Sequence, residues 1–347
     1  MIIFLDKLVD AFDERDALAL ENLASAGRRG HHLISGDRSS LGLLAEHQRI
    51  SEVSRALFRR EFNKLATQGS FISSSPRLLV SNSDASNCVS LKEFSDHNRC
   101  GRCQLLAENL TDFAVLKGLA SVLLGSTGFV GTVSFRPING GGSTTAACLS
   151  QAIKDFEGPI VCVVDSDRKY PEGAIGGTAR ACRGVARKAD LPEWLFSHIE
   201  LECRELENIV PEDHIVAATQ THPETTKVKL RQALRCEEDF LRFACFKKGD
   251  SVCSMLSRAR SDGNKRGEAR LKSLPQSTVG PRIRCNACPN PDGCNEFPAL
   301  GEKLLEGIAK ALEDQPIKTE PQNWPRELLR ALGTLVSFGI ANEPIRV

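Results

Sequence analysis

Aromatic residues are scarce in this 347-residue chain: they make up 5% of it, with Tyr170 the only tyrosine and Trp194 and Trp324 the only tryptophans. A platform of stacked rings for unpaired bases is therefore poorly supplied. Long apolar runs are missing as well. The least charged stretch, residues 118–153, holds only Arg136, but glycines and hydroxyl residues interrupt it every few positions. That pattern suits packed strands and helices and speaks against a bilayer span. The opening Met1-Ile-Ile-Phe-Leu5 gives way to Asp6 and Lys7 before the roughly 7–15 apolar residues of a secretory signal can accumulate, so no signal peptide and a cytoplasmic location are expected. Nor is one sign of charge in excess. Lys and Arg number 45 against 44 Asp and Glu, a net of +1 that excludes a uniformly basic nucleic-acid wrapper.

The length corresponds to roughly two domains of about 150 residues, and 41% hydrophobic with 26% charged residues is the composition of a chain that folds around a sizeable core. Charge is not evenly spread. Residues 227–284 hold 15 Lys/Arg and 6 Asp/Glu, a net of +9, which leaves −8 for the rest. Thirteen cysteines without an export signal point to thiols and metal ligands rather than a disulfide framework.

Periodicity predicts helices over 8–26 and 44–66, a short strand at 77–80, and a polar loop over 81–103. From 104 the texture alternates. Strands are expected at 104–107, 132–138, 159–164 and 198–201, with helices over 112–124, 144–155 and 176–189 between them. This βαβαβαβ alternation with continuous apolar strands predicts an α/β fold in which a parallel sheet is covered on both faces, and ligands in such sheets lie outside the strands' carboxyl ends. Beyond 210 the chain reads as mostly helical, with a basic region at 227–272, a Pro/Gly/Asn-rich knot at 285–294, and helices over 300–312 and 326–338. Four regions result: an N-terminal helical region (1–80), a candidate zinc loop (81–103), an α/β domain (104–211) and a basic, cysteine-containing helical region (212–347).

Acidic residues cluster at three predicted strand ends. Glu108 follows the first strand and Asp112 opens the next helix; Asp165 and Asp167 follow the buried strand; Glu205 and Glu207 follow the fourth. With 44 acids in the chain, roughly five acidic i, i+2 pairs arise by chance, so a single Asp-x-Asp carries little. Carboxylates repeated at three ends of one sheet repel each other unless a cation offsets them, and oxygen-only sites of this kind suit Mg²⁺ or Mn²⁺.

The ordered segments Leu105-Leu-Ala-Glu108-Asn-Leu-Thr-Asp112, Asn139-Gly-Gly-Gly-Ser143, Val163-Val-Asp165-Ser-Asp167 and Arg204-Glu-Leu-Glu207-Asn208 resemble a Toprim domain. The last is similar to the Arg-Glu-hydrophobic-Glu-Asn segment of Toprim nucleases of the OLD (overcoming lysogenization defect) type. The resemblance covers about residues 103–211. It implies that Glu108, Asp112, Asp165, Asp167, Glu205 and Glu207 bind one or two divalent ions and cut phosphodiester bonds of DNA or RNA, with Glu108 also moving a proton, in an effector of defence against phage or plasmids. Whether Glu205 or Glu207 is the ligand stays open. The family's ATPase half has no counterpart here, because no Gly-x-x-x-x-Gly-Lys-Ser/Thr loop occurs. A nucleotide switch would therefore sit on a separate ATPase or sensor subunit, or be absent; no membrane partner is implied, and an oligomer is compatible with the reading.

Glycines 140–142 would let a phosphate approach the backbone, or form an ordinary strand-to-helix turn, with Ser143 capping the next helix. A basic residue is needed to stabilise charge on the phosphoryl group, and Arg168, Lys169, Lys247, Lys248, Lys265 and Arg266 are equivalent candidates at this level. The +9 segment could draw a phosphate backbone toward the acidic site. Cys88, His97, Cys100 and Cys103 supply a Cys₃His set for structural Zn²⁺. Cys285, Cys288 and Cys294 form a second candidate metal knot, completed by Cys253 or by Cys100 and Cys103; a [4Fe–4S] cluster is the alternative occupant. Cys148, Cys162 and Cys182 lie in apolar runs and read as core, and His31, His32 and His47 have no partner spacing. The competing functional reading is a non-catalytic Toprim and zinc scaffold of the recombination-mediator type, which binds nucleic acid without cutting it.

Overall fold

The computed structural model describes residues 1–83, 87–220, 224, 226, 227, 230, 238–273, 296–314 and 320–345. Two four-stranded parallel sheets, each flanked by helices, organise the chain. The first is built from β1 (Ile2–Leu5), α1 (Glu14–Arg28), β2 (Leu33–Gly36), α2 (Arg38–Glu46), α3 (Glu52–Ser74), β3 (Leu78–Ser81) and β4 (Val89–Ser90), with strand order β2-β1-β3-β4. The N-terminal region, read from its sequence as helical with one short strand at 77–80, is thus α/β. β1 and β2 are four residues each and end at Asp6 and Asp37, too short for periodicity to register. Asp13 and Ser51 cap α1 and α3 through their side chains, accepting from the amides of Asp16 and Ser54.

The second sheet is built from β5 (Gln104–Ala107), α4 (Leu110–Ser126), β6 (Thr132–Val133), β7 (Arg136–Asn139), α5 (Thr145–Asp155), β8 (Ile160–Val164), α6 (Gly177–Ala186) and β9 (Phe196–Glu200), followed by α7 (Glu212–Ala218). Its strand order is β7-β5-β8-β9, all parallel. The expected strand at 132–138 is split. β6 leaves the sheet to pair antiparallel with Ile340–Ala341, and only β7 joins β5.

The period of two along β8 distributes its side chains to both faces. Val161 and Val163 belong to a large core that also takes in the N-terminal sheet, α4 and the C-terminal helices, whereas Ile160, Cys162 and Val164 join a smaller core under α5 and α6. Both faces are therefore dry, which explains a five-residue run without a polar side chain. Helices Leu304–Asp314 and Arg326–Gly339 cover α4, where Gly118 admits Leu312 so closely that a Cβ would stand 3.0 Å from its Cδ1. Among the described residues no helix is long and apolar enough to cross a membrane.

β7 lies on one side of β5 and β8 on the other, so the direction of winding reverses between β5 and β8. Side chains that follow these two strands border the crevice that such a reversal opens.

Candidate functional site

Glu108 and Asp165 are the first residues after β5 and β8, and because these strands are neighbours their ends meet: the Asp165 amide donates to Glu108 Oε1 at 3.3 Å. Asn109 caps α4, accepting from the amides of Thr111 and Asp112 at 2.9 Å, and its own amide donates to Asp112 Oδ2 at 2.8 Å. Cap and carboxylate are thereby fixed as one unit, and Asp112 is buried.

After β8 the chain closes a loop from Ser166 to Gly176. The Gly176 amide donates to the Ser166 carbonyl at 2.8 Å, the Asp167 amide to Arg204 O at 2.9 Å, and the Ser166 hydroxyl to Cys203 O. Asp167 is exposed and adopts a left-handed backbone, φ +56°. Gly176 lies directly beneath it, and a Cβ there would stand 2.5 Å from Asp167 Cβ and closer still to its Oδ2. Asp167 Cβ cannot swing aside. Gly176→Ala should therefore cost about 1–3 kcal/mol in urea unfolding; a neutral result would mean that the loop shifts freely.

The segment Arg204–Asn208 follows β9. The Glu205 amide donates to Asn208 Oδ1 at 2.7 Å, while Asn208 Nδ2 reaches the carbonyls of Leu241 (2.7 Å) and Ala244 (2.8 Å). This docks the chain around 238–250 onto the site and delivers Lys247, whose Nζ pairs with Glu207 Oε1 at 3.2 Å. Of the six basic candidates, Lys247 is the one whose ammonium stands among the carboxylates. Glu207 is fully buried; its Oε2 and Glu205 Oε2 are buried without hydrogen-bond partners.

The electrostatics join all six acids. Burial, then the charges of Asp167 and Asp112, push Glu108 up to about 7. Burial raises Asp112 to about 6, with Glu205 contributing. Asp165 is held well above the usual carboxylate range by burial and by Asp112, Glu207, Glu108 and Glu205. Glu205 and Glu207 are raised chiefly by burial. Burial disfavours the Lys247 ammonium, but Glu207, Glu205 and Asp165 outweigh it and hold its pKa above the ordinary value.

These shifts have a consequence for stability. Folded Glu108 and Asp112 bind protons more tightly than the unfolded reference values of 4.5 and 3.8. The folded state therefore holds more protons than the unfolded state between about pH 4 and 7, and stability falls as pH rises through that window. At about 1.4 kcal/mol per tenfold change in proton affinity, and allowing for solvent screening at half-buried Glu108, the two together should cost about 2–4 kcal/mol by pH 7.5. Urea unfolding of the native chain and a Glu108→Gln/Asp112→Asn variant at pH 5 and 7.5 checks this. The variant should show the flatter profile; parallel profiles would refute the coupling.

Gly141 and Gly142 both have positive φ, +69° and +63°, and the Gly142 amide donates to Glu108 O at 3.1 Å. The turn therefore packs against the site. Ser143 does not cap the following helix, as its position suggested. It lies within a 3₁₀ turn over Gly142–Thr144, while the Thr144 and Thr145 hydroxyls bond back to Gly140 O and Gly142 O at 2.6 Å.

Cys88, His97, Cys100 and Cys103 are not brought to one point. Cys100 Sγ faces Phe94 O and Cys103 Sγ faces Gln104 O, both at 3.8 Å, while Cys88 Sγ faces Asn87 Oδ1. Burial pushes the thiols of Cys100 and Cys103 up to about 12, which keeps them protonated. What fixes this loop is His32, fully buried, whose Nε2 stands 2.9 Å from Gly101 O. Cys285, Cys288 and Cys294 lie outside the described residues. Among the described residues no group of three or more His, Cys, Asp and Glu side chains is drawn tightly enough to hold a metal ion. Five of the carboxylates, those of Glu108, Asp112, Asp165, Glu205 and Glu207, couple instead to the Lys247 ammonium, and Asp167 lies exposed beside them. An open, oxygen-only set with unmatched buried oxygens still fits Mg²⁺ or Mn²⁺, since Mg²⁺ usually keeps several waters and takes only one or two protein carboxylates.

The positioning roles of Asn109, Asn208 and Gly176 are not visible in the sequence, and Lys247 is there only one of six equivalent cations. Glu-Asn occurs at 108–109 and 207–208 but also at 21–22, so the dipeptide alone does not mark the site. Compared with known protein families, curated proteins and solved structures, the chain matches none.

Proposed function

We infer that the protein is a metal-dependent nuclease that hydrolyses phosphodiester bonds of DNA or RNA, with a Toprim-like carboxylate site of the OLD type. The observation that carries this reading is the convergence of acids from three strand ends: Glu108 accepts from the Asp165 amide, Glu207 pairs with Lys247, the charges of Glu108, Asp112, Asp165, Glu205 and Glu207 couple to that ammonium, and Asp167 acts on Glu108 and Glu205. Mg²⁺ or Mn²⁺ held among Glu108, Asp112, Asp165, Asp167, Glu205 and Glu207 would supply Lewis-acid activation of water and of the leaving oxygen.

The chain's own residues account for the rest. With a pKa of about 7, Glu108 is poised near neutral pH to take the proton of the attacking water. As the water oxygen bonds to phosphorus and the P–O ester bond breaks, that proton is available to the departing oxygen. Lys247, held beside Glu207, supplies the positive charge that would offset the negative charge building on the phosphoryl oxygens. Asn109 and Asn208 hold the carboxylates in place. The Arg204-Glu-Leu-Glu-Asn segment contributes two of the six acids, which favours catalysis over a purely scaffolding role. A defence setting with a separate ATPase or sensor partner rests on the resemblance alone.

The test is a panel of single- and double-stranded DNA and RNA incubated with purified full chain in Mg²⁺, Mn²⁺ or chelator, with elemental analysis of the same preparation. Cleavage is expected in at least one divalent metal and none in chelator. Salt-sensitive binding without cleavage in any metal would overturn the nuclease in favour of the scaffold.

A further inference from the structure

Helices Val252–Ser261 and Lys265–Ser273 form a contacting pair outside the segment that resembles Toprim domains. The pair buries Met255, Ala259, Gly267 and Leu271 and turns its polar positions outward. Between residues 252 and 273 there are six Lys/Arg, two acids and no aromatic residue.

This pair clamps the loop that carries Asp165 and Asp167. The Tyr170 hydroxyl donates to Asp262 Oδ2 at 2.6 Å, Asn264 Nδ2 donates to Glu172 O at 2.7 Å, and Arg270 pairs with Glu172 at 3.3 Å. Gly267 abuts the Pro171 carbonyl so closely that a Cβ would stand 2.7 Å from it. Buried Asp250 links the pair to the acidic site, accepting from Arg258 at 2.6 Å and from Arg204 at 3.1 Å. The cations sort into two groups. Arg258, Arg260, Arg270 and Lys272 are neutralised by Asp250, Glu268 or Glu172. Lys265 and Arg266 are exposed and have no acidic partner among the described residues, and neither do Arg168 and Lys169 on the clamped loop. Arg168 Nε has no hydrogen-bond partner either.

We propose that the helix pair 252–273, with Arg168 and Lys169 of the loop it clamps, is a docking surface for the phosphate backbone of a nucleic-acid duplex. The reading rests on the proposed phosphodiester chemistry of the neighbouring site. Unneutralised cations with no ring to stack on recognise backbone charge rather than bases, and a duplex offers one charge per about 1.7 Å of axis. Because the surface and the Asp167 loop are bolted together, a backbone seated on one is held at the mouth of the other.

The experiment measures binding of a roughly 25-base-pair DNA duplex and of its single strands by full chain carrying Asp165→Asn, across a salt series. Lys265→Ala/Arg266→Ala should weaken duplex binding about thirtyfold at about 0.15 M salt, from about fivefold per lost phosphate contact, and should lower the log–log salt slope by about 2. Arg187→Ala/Lys188→Ala, exposed at the far end of α6, should leave both unchanged, and thermal unfolding checks that each variant is folded. Equal binding by the 265/266 variant and its parent would overturn the proposal. So would an equal loss in the 187/188 control, tighter binding of single strands than of duplex, or no binding by the parent. Loss confined to the 265/266 variant in a protein that cuts nothing would sustain the docking surface and refute the nuclease, so the two readings fail separately.

Discussion

Asp165→Asn should lower the cleavage rate by about 10³-fold or more while raising stability above pH 7. The loss follows from position. Asp165 stands at the end of the central buried strand, its amide bonded to Glu108, and its charge is felt by Lys247; removing a preorganised charge at a reacting centre costs on the order of 10²–10³ or beyond. The gain in stability follows from the same crowding. Burial and the neighbouring acids hold the folded Asp165 carboxyl well above its ordinary range, so its ionisation at neutral pH works against folding. Asparagine keeps the shape and discards the charge, and the benefit should vanish below about pH 4, where the native carboxyl is protonated in both states. Thermal unfolding at pH 4 and 8 with parallel cleavage assays measures both halves. A variant that is inactive but also less stable at pH 8 would point to a structural role for Asp165, and a fully active one would remove it from the site.

Lys247→Met should destabilise the protein by about 3–5 kcal/mol at pH 8, because it strands Glu207, whose side chain is fully buried, without its counter-charge. The alternative open to Glu207 is to bind a proton, which becomes easier as the pH falls. The penalty should therefore shrink steadily toward pH 5. Adding Glu207→Gln should restore most of the stability at pH 8 without restoring cleavage. Urea unfolding at pH 5, 6.5 and 8 separates this from a packing defect, since lost packing would be insensitive to pH and would not be repaired at position 207. A pH-independent loss, or one below about 1 kcal/mol, would show that the Lys247–Glu207 contact is not an effective buried pair.

The second sheet was legible chiefly through its two central strands, β5 and β8, which are bounded and fully buried. Residues 105–107 and 160–164 are apolar runs followed by a carboxylate, a pattern that local sequence displays directly. The first sheet was not. β1 ends after four residues at Asp6, and β2 is a Leu-Ile-Ser-Gly fragment whose last residue packs against the Leu5 backbone. The pairing with β1 that makes β2 a strand lies some 30 residues away in sequence. The stretch 132–138 misled for the same reason: part of it pairs with Ile340–Ala341, at the far end of the chain.

What the sequence determined by itself is the inventory: six acids at strand ends, a basic segment that offsets the negative charge of the rest of the chain, a shortage of aromatics and a glycine turn. Hydrophobic period and strand-end position are local properties, so one sequence displays them. Only the tertiary structure decided how these parts meet. It drew Lys247 out of six equivalent cations, set Glu108 beside Asp165 through the reversal of winding between β5 and β8, placed Gly176 under Asp167, and turned the sulfurs of Cys88, Cys100 and Cys103 to separate partners. Each of these depends on distances between segments tens of residues apart, and burial and charge act through such distances rather than along the chain.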